Sequence, residues 1–161
     1  ASRPQGPNGP MAVPGRYAVR LTIGSWTSTQ PFTLIEDPRV TADGVTTADL
    51  HEQFAHNMRV RDLVSEVNQL VARVRAAQAR LRGATGAAAD TLARVNELAS
   101  HLITPSIRYS KPELQTHITY LYSMTTMADQ KIGHDAVERY QALRKELDQR
   151  KAEADRILGK Q

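Results

Sequence analysis

The residues of this chain best suited to acid–base or metal chemistry are its five histidines, His51, His56, His101, His117 and His134. No two of them stand four residues apart, no HExxH is present, and no histidine–carboxylate combination has a metal-ligand spacing. Surface or boundary positions are expected for all five. The 161 residues include no cysteine, so disulfides, thiolate metal sites, iron–sulfur ligation and cysteine nucleophiles are excluded. Neither GxSxG, GxxxxGK[ST] nor GxGxxG occurs. Gly83 and Gly86 are too close together for a phosphate loop and stand where a turn between helices is needed. Glu36-Asp37 reads as a turn, and Asp148 with Glu153 as a solvated helix face. A glycosidase would need two carboxylates about 5–10 Å apart across a cleft. A non-enzymatic protein without cofactor or metal is expected.

Charge narrows the partners. Lys and Arg number 21 against 17 Asp and Glu, a formal net charge of +4, and the two signs interleave along the second half. A nucleic-acid binder concentrates its basic residues near aromatic platforms, which does not happen here. Apolar runs are far below the roughly 20 residues that span a bilayer, so any membrane association is peripheral. Arg59, Arg73 and Arg80 share one flank of a long helical segment, and Arg61, Arg75 and Arg82 another. They suit pairing with acidic residues of neighbouring helices, or a face for an acidic partner or anionic head groups. Tyr109, Tyr120, Tyr122 and Tyr140 are expected in the amphipathic seam of the helices.

The elements that must position these residues divide at Pro38. Six of the eight prolines lie at or before it. Residues 1–15, with Pro4, Pro7, Pro10 and Pro14 among glycines and small polar residues, form an extended, polyproline-like arm. From Tyr17 to Ile23 apolar and polar residues alternate, the period of a half-buried strand. Gly24-Ser25 is a two-residue turn needing positive φ at its first position, which sets Ile23 opposite Trp26, Leu21 opposite Ser28, Val19 opposite Gln30 and Tyr17 opposite Phe32. Pro31 then demands an edge or a bulge. The strip Tyr17, Val19, Leu21, Ile23, Trp26 and Phe32 needs a cover, because two strands alone are marginal in water. Either the chain's own long helix covers it, or strands from outside complete the sheet by edge addition. The strip, with Pro4, Pro7 and Pro10, forms the candidate partner-binding surface.

Residues 38–161 read as helices. Thr46-x-x-Asp49 is a capping box opening a helix to about Arg82. Along it Val60, Val64, Val67, Val71, Val74 and Leu81 form a heptad seam interrupted by Gln78. Valine is a poor helix former, so this helix depends on tertiary contacts or on self-association through the seam. A second helix, about Ala87 to Leu102, puts Leu92, Val95, Ala99 and Leu102 on one stripe. Ser110-Lys-Pro-Glu113 reads as a capping box for a third, running to about Gln130 with Leu114, Ile118, Leu121, Thr125 and Ala128 inward. Asp135-x-x-Glu138 opens the last, whose stripe includes Val137, Tyr140, Leu143, Leu147 and Ala154 and whose charged half from Asp148 projects into solvent. The fold class is mainly α with a small β part: an arm (1–15), a β-hairpin (16–37) and a four-helix antiparallel bundle or long helical hairpin (38–161), the two middle helices stacked end to end along the first.

With these segments placed, PGRYAVRLTI (Pro14 to Ile23), QPFTLIEDPRV (Gln30 to Val40), QFAHNMRVRDLVSEVN (Gln53 to Asn68) and RYSKPELQTHITYLYSMTTMADQKIGHDAVERYQAL (Arg108 to Leu143) carry a resemblance. The chain resembles the C-terminal region of bacterial BNR/Asp-box-repeat, sortilin-like or glycosyl hydrolase-like β-propeller proteins, over most of its length from Pro14. The propeller itself and its Ser-x-Asp-x-Gly-x-x-Trp boxes are absent, so no catalytic residues carry over. The resemblance implies that the hairpin is the last of an immunoglobulin-like segment and that the chain is extracytoplasmic, periplasmic or secreted. It also implies a scaffold or accessory subunit that stabilises a larger assembly, such as a photosynthetic membrane complex. The alternatives are an accessory domain of a carbohydrate-active propeller and a homo-oligomerising helical module. Ala1, not a methionine, reads as the start of a processed product or of a fragment of a longer precursor.

Overall fold

The structure is a computed structural model that describes residues 9–159. Pro4 and Pro7 of the arm lie outside the described residues. The alternating segment forms β1 (Gly15–Ile23), which pairs antiparallel with β2 (Trp26–Leu34). The register matches the turn: Ile23 faces Trp26, Leu21 faces Ser28, Val19 faces Gln30 and Tyr17 faces Phe32. Gly24 has φ of 60° while Ser25 keeps a negative φ. That is a type II′ turn, whose first position glycine alone adopts without strain. The register runs unbroken past Pro31, so the proline sits on an edge and not in a bulge.

A short helix, α1 (Pro38–Ala42), follows the hairpin where only a break was expected. Asp37 caps it by accepting a bond from the Arg39 N–H at 2.9 Å, and Pro38 stands at its start, where a missing N–H is harmless. Next come α2 (Thr47–Arg80), α3 (Ala87–Leu102), α4 (Leu114–Thr126) and α5 (His134–Leu158). The box at α2 forms as read, with Asp49 N–H donating to Thr46 Oγ1 and Thr46 N–H to Asp49 Oδ2. The box read at Ser110–Glu113 does not form. Ser110 Oγ donates instead to the Pro105 carbonyl at 2.7 Å, and Glu113 N–H donates to Thr104 Oγ1 at 2.9 Å, so α4 starts only at Leu114. Pro112 favours extended backbone at Lys111 and delays the helix. α5 begins at His134 behind Gly133, with no side-chain cap and with Asp135 in its first turn.

Cross-helix bonds give the packing. Asn57 donates to the Thr125 carbonyl and Gln115 donates to Asn68, so α4 runs antiparallel to the first half of α2. Gln78 bonds Asn96 of α3 beside the second half. α5 runs back parallel to α2, with Tyr140 near His56, Arg144 on Glu66 and Asp155 on Arg73. α3 and α4 are thus stacked along α2, which spans about 50 Å at 1.5 Å per residue. The buried core joins Val60, Val67, Val71 and Val74 to Val95, Leu98, Leu102, Ile118, Leu143 and Leu147. Leu63, Leu70 and Ala77 widen the valine seam, while Val64 and Leu81 lie at its margin. The seam is therefore occupied within the chain. Ala128 falls beyond the end of α4 and is exposed.

The second half of α5 does not project. Ala154 is fully buried and Ile157 and Leu158 pack on the core. Arg73 holds Asp155 at 2.6 Å and donates to the Gly159 carbonyl, while Lys151 reaches Glu66 at 2.6 Å. Lys151 and Asp155 are thus partners of α2, while Asp148 and Arg150 pair within α5, with Arg144 and Glu153.

Candidate interaction surface

Among the described residues neither strand of the hairpin packs against a helix. The apolar face of α2 is used up on α3, α4 and α5, so the long helix does not cover the strip. Val19, Leu21, Ile23, Trp26 and Phe32 are left between 50% (Phe32) and 65% (Ile23) exposed. Tyr17 is half-buried at the foot of the strip. Its ring stacks on Phe32 at 5.7 Å, and its hydroxyl donates to the Val13 carbonyl at 2.6 Å, tying the arm to β1. Pro10 is half-buried. Leu34 and Ile35, outside the expected site, extend the exposed apolar surface. The opposite face carries Arg16, Arg20, Thr22, Thr27, Thr29 and Thr33. Glu36 is the first acidic residue in the sequence, so both charges within β1 and β2, those of Arg16 and Arg20, are positive.

Where the hairpin meets the bundle, a cleft of about 630 Å³ opens between Val13, Leu34, Leu50, Phe54, Asn57 and Asp129. Glu36 accepts a hydrogen bond from the Thr47 hydroxyl across this junction. Buried Gln53 donates to the Thr125 and Ala128 carbonyls at 2.9 and 2.7 Å, and its Oε1 accepts from Gln130 N–H. Carbonyls at a helix end lack partners within the helix, and these amides of α2 supply them to α4. Asn57 Oδ1 is buried with no hydrogen-bond partner among the described residues. Periodicity counts polar residues as outward, so this group was not visible in the sequence.

His56 corrects the expectation of surface histidines: it is fully buried, with no hydrogen bond to either ring nitrogen and its edge to Tyr140 at 6.0 Å. Burial, reinforced by the nearby Arg59 charge and opposed by Glu52, pushes its pKa down. His51, His101 and His134 are exposed and His117 half-buried. Tyr109 and Tyr120 are also corrected. They lie exposed in the loop before α4 and on its outer face, and only Tyr122 and Tyr140 join the seam. Of the arginines, Arg73 pairs across helices with Asp155, Arg61 pairs with its neighbour Asp62, and Arg59 lies 5.7 Å over the Tyr140 ring. The strongest charge cluster is Glu66, gripped by Arg144 at 2.7 and 3.1 Å and by Lys151. These bonds hold its carboxyl down to about 2. The ion pairs of Arg61, Arg73 and Glu66 are internal to the helices, and none of these three residues lines the cleft.

Among the described residues no three histidines or carboxylates are placed to hold a metal ion, and no helix is long and apolar enough to cross a membrane. Comparison with protein-family models, curated proteins and solved structures finds no match for this chain.

Proposed function

We propose that this protein is a non-catalytic interaction subunit that docks through its hairpin onto a larger extracytoplasmic assembly and stabilises it. The observation that carries this is the uncovered strip. Five large apolar side chains stand at least half in water on a two-stranded ribbon, although the chain has a bundle on which they could have packed. Fully burying one such side chain is worth about 1.5–3 kcal/mol, so a surface left in this state favours a partner. The extracytoplasmic location, and a membrane complex as the assembly, rest on the resemblance described above. The test is recovery of a partner from periplasmic or membrane extract by the full chain and by a Leu21→Ser, Trp26→Ala variant. Specific recovery by the wild type and its loss in the variant are expected. A well-folded monomer that recovers the same proteins with and without its strip overturns the proposal.

A further inference from the structure

The hairpin has two edges, and its register makes them unequal. The residues flanking a two-residue turn face each other as a hydrogen-bonded pair, and along an antiparallel ribbon such pairs alternate with pairs whose backbone groups point outward. Counting back from Ile23 opposite Trp26, the inward pairs are Leu21 with Ser28, Val19 with Gln30 and Tyr17 with Phe32. The outward positions are Arg16, Ala18, Arg20 and Thr22 on β1, and Thr27, Thr29, Pro31 and Thr33 on β2. Pro31 has no N–H, so the outer edge of β2 lacks a donor near its middle, the device by which natural sheets block an edge. Among the described residues nothing pairs with the outer edge of β1, which keeps every donor and acceptor. Its outward residues are all exposed, and no helix packs against it.

We infer that the docking partner contributes an extended strand that pairs with the free edge of β1, along Arg16 to Thr22, and alternates apolar with acidic residues. This deepens the docking function proposed above and rests on it. The alternation follows from the two faces of β1. Beside Val19, Leu21 and Ile23 an added strand must present apolar side chains. On the other face it meets Arg16 and Arg20, in a ribbon without a negative charge of its own. Acidic side chains at those positions complement the two guanidiniums, whereas basic ones meet like charge.

The probe is a capped peptide of about eight residues alternating valine with glutamate, long enough to pair with β1. A second peptide carries lysine in place of glutamate. Trp26 is the single tryptophan and lies on the strip, so its emission reports docking on the intact chain. The glutamate peptide is expected to bind and the lysine peptide not. Ala18→Pro removes one outward donor of β1 and leaves the inward ladder intact, and should weaken binding roughly ten-fold. Thr29→Pro makes the equivalent change on the edge that Pro31 already interrupts and should leave binding unchanged. Circular dichroism and the emission of the free chain establish that both variants stay folded. Arg16→Glu with Arg20→Glu, which leaves the backbone alone, should transfer preference to the lysine peptide. Equal loss in the two proline variants, or equal affinity for both peptides, overturns the assignment of edge and partner chemistry. Strip-dependent recovery of a partner from extract would still stand in that case. The docking function itself fails only if that recovery is absent as well.

Discussion

At the scale of single residues, the bundle tolerates an imidazole it does not satisfy. Both nitrogens of His56 are buried without partners, and a buried polar group in that condition costs about 1–3 kcal/mol. Burial, and after it the Arg59 charge, lowers the His56 pKa more than Glu52 raises it. The sign of the resulting pH dependence follows. Above the unfolded histidine pKa of about 6.5 neither state binds the proton. As pH falls below that value the unfolded chain takes up a proton that the folded chain refuses, so stability drops until the lowered folded pKa is reached. The slope is at most about 1.4 kcal/mol per pH unit. His56→Leu, close in size and without polar atoms, should be at least as stable as the wild type at pH 7 and lose less between pH 6.5 and 5. Urea unfolding across that range checks this, and identical slopes for the two proteins would remove His56 as the cause.

At the scale of elements, α2 organises the molecule with two kinds of contact, and only one of them was written in its periodicity. The apolar seam predicted its length and its dependence on neighbours, and the hairpin register was fixed by one glycine-serine turn. Leu63 and Leu70 belong to the core as well, because three neighbours require a wider apolar face than the single stripe of a two-helix seam. Buried Gln53 and Asn57, which finish the end of α4, could not be recognised locally, since their acceptors stand some 68 to 75 positions away in sequence. A similar distance hid the role of Lys151 and Asp155 in the charged half of α5, whose partners are Glu66 and Arg73 on α2. Of the candidate surface, the strip was legible from alternation alone. Its lack of cover was not, because it depends on what the helices bury elsewhere. Gln53→Leu keeps the volume but removes both donors to the end of α4. It should cost about 1–3 kcal/mol and lower the thermal midpoint, with faster hydrogen exchange at the Gln130 amide. Unchanged exchange there would show that the α4 end is held by Asn57 alone.

At the scale of the whole molecule, structure and exposure are divided along the chain. The buried apolar residues lie within residues 50–154, and none of them comes from β1 or β2. Among the described residues the hairpin meets the helices at its foot, through Glu36 on Thr47 and the cleft walled by Leu34, Leu50 and Phe54. A ribbon joined so narrowly adds little to the stability of the bundle, and the bundle in turn does little to hold the ribbon's outer half. Removing residues 1–35 should therefore shift the thermal midpoint of the helical remainder by less than about 4 °C, the equivalent of roughly 1 kcal/mol in a domain of this size. Helical circular dichroism should be preserved through the same single transition. A larger drop, or loss of cooperativity, would mean that the strip is buried on the bundle in solution. In that event the five apolar side chains would be core, and the hairpin would no longer be a free surface for a partner's strand.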